Sequence, residues 1–409
     1  MSYCFLCAQP SPYTLLKPAR VFDGNEMHIG WVVLVKHDTI AAAGSMNFKL
    51  PAGTKIIELP NATLLPGLIE GHGHLFLHPY NEVTWDDQVL NESRAERTAR
   101  AVQHAKATLL AGFTTLRDLG TEGAMYDDAG LKAAIEKKVI PGPRLIIATR
   151  AIVAKGTYGP VTTNADSETI KGAEEVAGME SIAAAVRSQI GKGADFIKVY
   201  ADYRYGINKE AMPTFTVEEL KLMVTLAAAS GRKVVAHAAT PEGMRRAIEA
   251  GVSTIEHGDN GTAPIFKLMK ERAVALCPTL AAGDAVSQYN GWNKNAEPEP
   301  SRVINKRKTF RLALDARVTI CMGGDVGVFS HGDNAREMEM MVNYGMSPIA
   351  VLRSATSSNA AVFGYGDQLG AIKPGLLADL IAVEGDPSLD ISNIRKIKMV
   401  MKAGEVMLP

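Results

Sequence analysis

The sequence predicts an α/β protein whose centre is a (β/α)8 barrel and whose two ends build a smaller β unit. Three observations carry this. Eight short apolar runs alternate with helical patterns between residues 64 and 322, which is the rhythm of βα units on a parallel sheet. Residues 13–60 and 368–409 read instead as short strands broken by turn signals such as Asp23-Gly24. No GxGxxG follows the first run, against a doubly wound dinucleotide-binding sheet.

Taken in order, alternation and flanking turns give strands at 13–19, 30–36, 39–44 and 55–59. After Pro66-Gly67 the pattern changes to apolar runs at 64–70, 114–119, 144–149, 196–200, 233–237, 254–257, 275–280 and 318–322. Helical patterns lie between them, for example 93–111, 179–191, 216–230 and 241–250, many with Gly just past the last turn. Eight βα repeats over this length suit a barrel. Candidate strands at 370–373, 378–383 and 397–402 complete the N-terminal unit, because neither end alone has enough strands for a core. The expected division is a barrel domain over 63–365 and a β domain from 1–62 and 366–409, with a loop around 289–300.

At 409 residues the chain has room for one large domain plus a smaller one. Lys plus Arg equals Asp plus Glu at 44 each, so no basic excess argues for nucleic acid or an anionic membrane surface. The hydrophobic fraction is 46% and the charged fraction 22%. No apolar stretch approaches the roughly 18 residues of a membrane span, so a soluble protein is expected. Cys4, Cys7, Cys277 and Cys321 are too few and scattered for a disulfide framework, which fits a reducing, cytoplasmic setting. Cys4 and Cys7 form a CxxC without a second pair and read as a loose terminus. Residues 5–9 look like the tail of a truncated secretion signal, which leaves export open.

The first run of the central region leads into Gly71-His72-Gly73-His74. Alternate side chains of a strand share a face, so both imidazoles point into one space. His237 closes the fifth run, His257 closes the sixth, and Asp325 follows the eighth after Gly323-Gly324, all at the rim where barrel enzymes keep their chemistry. Lys198 interrupts the apolar fourth run and points into the barrel, where a charged ammonium is costly unless paired or neutralised. Two readings are open for it. The amine snorkels to the rim or pairs with Asp325, or it has reacted with carbon dioxide to give a carbamate that bridges two metal ions. In the second case four neutral imidazoles, a carboxylate and a carbamate hold two divalent ions, zinc foremost.

This constellation resembles the amidohydrolase superfamily, whose members carry HxH on the first strand, a carbamylated lysine on the fourth, histidines on the fifth and sixth, and an aspartate on the eighth. The resemblance spans nearly the whole chain, including residues 20–24, the lead-in 65–74 and the tail 370–380. It implies a urease-like β-sandwich from the two ends. It also implies two metals on His72, His74, Lys198, His237, His257 and Asp325, with Lys198 carboxylated at N6. Residues 250–258, 323–328 and 331–334 look like the branch holding prolidase-type dipeptidases, carboxypeptidases and ochratoxinase, which cleave amides of amino acids. Lys198 separates the chain from mononuclear relatives such as cytosine deaminase. One departure is 200–206, where several relatives have a shorter turn.

The implied reaction is hydrolysis of an amide or peptide bond by a metal-bridging hydroxide, releasing an amino acid with a free carboxylate. Dipeptides, N-acyl amino acids and ochratoxin-type amides all fit as small-molecule substrates. Asp325 is the expected catalytic residue, taking the proton of the shared water and passing it to the leaving amine. His331, on the loop after the eighth run, is a candidate for a substrate carboxylate or the oxyanion. Tyr203, Arg204 and Tyr205, after the fourth, offer phenol and guanidinium donors to a carboxylate. His78 is assigned supporting duty, His28, His37 and His104 the surface, and Arg117 with Asp118 a structural ion pair. A deaminase or cyclic-amide hydrolase on the same fold is the alternative. A non-catalytic scaffold would require lost ligands, and all six are present. Homo-oligomers are common among the relatives.

Overall fold

The computed structural model describes residues 12–160, 166 and 168–408. The Cys4/Cys7 pair and the signal-like segment lie outside the described residues. The fold is mixed α/β. Its two ends meet in one mixed eight-stranded sheet. Strand Tyr13–Phe22 pairs antiparallel with Trp31–Lys36 and parallel with Lys55–Pro66. Lys55–Pro66 in turn pairs antiparallel with Leu380–Glu384, and the sheet continues through Ile397–Lys402 to Glu405–Leu408. Leu16, Val33, Ile40, Leu64, Leu380 and Met399 pack as a core that neither end could form alone.

The expected strand at 370–373 does not form. Gly370 and Gly375 take positive φ of 83° and 92°, which breaks an extended run. The segment instead caps the sheet, with the Ile372 N–H donating to Asp23 and that of Gly375 to Ile40.

The central strands are parallel. Leu68–Gly73, Phe113–Asp118 and Arg144–Ile147 make a three-stranded sheet. Ile197–Tyr200, Val234–Ala238, Thr254–His257 and Ala275–Cys277 run consecutively through a six-stranded one, with Ile152–Ala154 and Glu174–Val176 at its edge. The N–H of Asp195 donates to the carbonyl of Ile147 at 2.8 Å, joining the end of one sheet to the start of the other.

The eighth run, expected at 318–322, forms no paired strand beyond a bridge from Ile320 to Leu276. It is nevertheless bonded on both sides: the Cys321 N–H donates to Leu276 at 2.8 Å, and the carbonyl of Met322 accepts from Gly71 at 3.1 Å. Glycine permits this close passage. A Cβ on Gly71 would stand 2.5 Å from the Met322 carbonyl oxygen, and one on Gly323 would stand 2.7 Å from the His72 nitrogen. The chain leaves the extended path at Asp325, whose φ is 63°, and turns at Gly327.

Helices return the chain between strands, and several of them start on caps legible in the sequence. Ser93 caps Arg94–Leu110, and Thr216 with Glu219 forms a reciprocal capping box on Val217–Ala228. Thr240 caps Pro241–Ala250, which carries Pro at its first position and stops at left-handed Gly251. Their buried faces, such as Ala101, Ala105 and Leu109, join the main core. Among the described residues no helix is long and apolar enough to cross a membrane.

Candidate active site

The histidines gather at the C-terminal ends of the parallel strands. His72 ends its strand with Nδ1 held 2.8 Å from Oε2 of Glu256. Nδ1 of His74 lies 2.8 Å from the carbonyl of Gly120, and Nδ1 of His257 lies 2.8 Å from the hydroxyl of Thr279. Each contact commits Nδ1 and frees Nε2 for another partner, the usual way a ligating imidazole is oriented. Nε2 of His72 and of His74 lie 3.5 and 3.4 Å from Oδ1 of Asp325. Ligand atoms of His72, His257 and Asp325 all fall within 4.8 Å of one another.

His237 differs. Its ring stacks on Tyr200 at 4.4 Å and meets His257 at 4.4 Å, while its Nδ1 is buried with no hydrogen-bond partner. A buried imidazole nitrogen without a partner is a costly vacancy in an otherwise bonded site. Lys198 is 1% exposed, and among the described residues its ammonium has no hydrogen bond or ion pair, only the Tyr200 ring at 5.5 Å. The pairing with Asp325 entertained from the sequence is not formed.

Burial sets the charge states. It drives His72 and His257 well below the ordinary imidazole range and takes His237 to about 3, with the Lys198 ammonium adding to the effect. The imidazoles are therefore neutral, the form that binds metal. Burial pushes the Asp325 carboxyl up to about 7 despite the pull of Lys198. Asp325 and His257 also hold positive φ, 63° and 73°, conformations that non-glycine residues keep where the surroundings demand them.

Beneath the donors lie acids that motif reading passed over. Glu256 binds His72 with one oxygen and the Arg117 guanidinium with the other at 2.8 Å. Arg117 thus pairs with Glu256 and not with Asp118, a correction to the expected pairing; Asp118 accepts from the backbone of Leu75 and Gly120. Glu70 accepts from the N–H groups of His72 and Gly324 and from Asn334 Nδ2, at 3.0, 2.9 and 2.8 Å. It thereby ties the first strand to the segment bearing Asp325. The signal for both acids was available: like Lys198, each is a charge inside an apolar run.

A cleft of about 670 Å³ opens over these groups. Tyr203 and Arg204 line it, carried on a short hairpin of Asp202–Arg204 with Ala211–Pro213 built from the segment that departs from relatives. Asp202 secures that hairpin, accepting from the N–H of Ala239 and from Thr240 N and Oγ1. Tyr205, just past the end of the Asp202–Arg204 strand, is 58% exposed and does not line the cleft. His331 is also turned away: its ring stacks on His104 at 4.4 Å and its Nε2 lies 3.3 Å from the carbonyls of His74 and Leu77. It props the His74 segment and is not among the residues lining the cleft. His104, expected at the surface, is half-buried under that stack. His78 is buried between Glu82 and Glu92, in the supporting position expected of it. Arg302, unnoticed in the sequence, lines the cleft too.

The sequence model of the amidohydrolase family matches residues 63–407. Ochratoxinase of Aspergillus niger is 29% identical, over 82% of this chain and 73% of its own length. A Xaa-Pro dipeptidase solved with methionine in its active site has a TM-score of 0.84 at 30% identity, covering 97% of this chain and all of that one. A prolidase solved with N-methylphosphonate-L-proline has a TM-score of 0.83 at 26% identity, covering 97% and 99%.

Proposed function

This chain belongs to the amidohydrolase family, and on that premise we propose that it is a binuclear metal-dependent hydrolase releasing an amino acid with a free carboxylate from an amide. The relatives described as ochratoxinase, Xaa-Pro dipeptidase and prolidase support the bond class.

The donor set carries the reading. Three histidines offer Nε2 with Nδ1 already engaged, and among the described residues a fourth has a buried Nδ1 without partner and Lys198 is buried without an ion pair. These residues fit two divalent ions, zinc by donor chemistry, with Lys198 carboxylated at N6. The bound ions would supply an acidified water and an electrophile for the scissile carbonyl.

The remaining work belongs to side chains. Asp325, beside both His72 and His74, accepts the proton of the attacking water and returns it to the leaving amine. Glu256 and the Gly120 carbonyl hold the tautomers that leave Nε2 free. Arg204 and Arg302 line the cleft and have no ion pair among the described residues, which suits them to the carboxylate of the departing amino acid.

We read the parallel strands as one closed (β/α)8 barrel over 63–365 and the shared end sheet of 1–62 and 366–409 as a β-sandwich. The bonds from Asp195 to Ile147 and from Gly71 to Met322 support closure at the two gaps.

The test is a mass-spectrometric product screen of zinc-loaded protein in bicarbonate buffer. The panel holds dipeptides, N-acyl amino acids including an ochratoxin-type phenylalanine amide, cyclic amides and aminopurines. A free amino acid is the expected product. Ammonia or ring opening would replace this substrate class with the deaminase or cyclic-amide alternative.

A further inference from the structure

The charges lining the cleft are mostly matched. Asp259 pairs with Lys306, and Asp284 with Lys294 and Arg336. Asp325 faces the histidines. Beyond the cations Arg204 and Arg302, one anion is left over, Glu122. It is 2% exposed, and its Oε2 accepts from Trp85 Nε1 at 3.0 Å and from the Tyr158 hydroxyl. Among the described residues its Oε1 is buried with no hydrogen-bond partner. Nδ1 of His74, 3.9 Å away, is engaged with the Gly120 carbonyl. The nearby Arg97 bonds the carbonyls of Phe76 and Thr121 and makes no ion pair with Glu122 within 4 Å. Glu122 also holds a φ of 49°, so the backbone is bent to present it.

A buried carboxylate with one oxygen unsatisfied is costly unless something else completes it. Tyr158, Tyr200 and Tyr203 lie around it with ring centroids 4.7 to 5.7 Å apart, and all three line the cleft. A carboxylate set among phenol rings is a receptor for an ammonium group. We propose that Glu122 and this aromatic wall form a cation subsite for the free ammonium of the substrate's acyl half. That ammonium is two bonds from the scissile carbonyl carbon in a dipeptide, which matches a carboxylate standing beside the metal-facing His74. The inference rests on the amide-hydrolase reading and narrows it to unblocked aminoacyl substrates in preference to N-acyl amino acids.

The test compares free dipeptides with their N-acetyl counterparts on zinc-loaded wild type and Glu122→Gln, by kcat/KM and by calorimetric binding. Wild type should prefer the free dipeptide by about tenfold or more, and Glu122→Gln should cut that ratio by about tenfold, mostly through KM. Equal use of both forms by wild type, or an unchanged ratio in the variant, overturns the subsite and leaves the hydrolase reading standing. If neither form is cleaved the hydrolase reading fails, and binding decides alone: dipeptide affinity that drops in Glu122→Gln supports the subsite, and affinity that does not drop overturns it.

Discussion

Nδ1 of His72 lies 2.8 Å from Oε2 of Glu256, both side chains fully buried, and the same carboxylate holds Arg117 at 2.8 Å through its other oxygen. One acid therefore orients an imidazole of the histidine cluster and neutralises a guanidinium in the core.

Glu256→Gln should weaken metal binding about 10- to 100-fold, the usual cost of losing a partner behind a ligating histidine. It should also leave Arg117 without its counter-charge, at a cost of about 3–5 kcal/mol when such a buried pair is broken. Metal content after dialysis against graded chelator, with denaturant unfolding alongside, reads both effects. Wild-type metal retention would refute the orienting role.

Lys198→Ala should lose turnover and one of two bound ions while keeping the fold, since the bridging ligand is gone. Asp325→Asn should lose at least about 10²-fold in kcat, as expected for a missing general acid/base. Elemental analysis and steady-state rates check these. A Lys198→Ala protein with two metals and full activity would sink the carbamate.

Arg302→Ala and Arg204→Ala should each raise KM by about tenfold for substrates ending in a carboxylate, in line with the loss of a charge-assisted bond. The same substrates capped as carboxamides should respond far less. A similar KM change for both sets would assign the arginines to packing.

Above about pH 7, where the buried imidazoles are neutral in the folded and unfolded chain alike, stability of the metal-free protein should fall as pH rises. Burial raises the Glu337 carboxyl from 4.5 to about 8 against the N–H groups of Leu280 and Ala281 that favour its charge. Between these values the native chain holds more protons than the unfolded one. The group's contribution is thus complete below about pH 4.5 and is lost as pH passes about 8. Glu70, raised to about 7, acts in the same direction. Denaturant midpoints between about pH 7 and 8 should decline, and Glu337→Gln should flatten part of the slope.

Gly323→Ala should destabilise by about 1–3 kcal/mol, because its Cβ would press on the backbone at His72 and on Cys277. Thermal unfolding of the variant checks it, and a wild-type melting profile would show that the two segments can part cheaply.

The histidine cluster was legible because strand geometry is local. Alternation puts His72 and His74 on one face, and the ends of apolar runs put His237 and His257 on the same rim, whatever the rest of the chain does. Helix starts were legible for the same reason: Thr216 and Glu219 cap within one turn. The eighth run was located correctly along the chain, but its want of a ladder depends on how closely Gly71 and Gly323 pass.

What the sequence determined alone is therefore the α/β rhythm and the identity of the donors, since both follow from backbone periods of two and 3.6 residues. Only the tertiary structure decided which partners those donors meet. It brought Glu256 to His72 across 184 positions, turned His331 and Tyr205 away from the cleft, and left Glu122 and Arg302 in it without a Lys or carboxylate ion partner within 4 Å among the described residues. These outcomes depend on packing between distant segments, and burial then sets the charge each group can carry; neither is written in any local pattern.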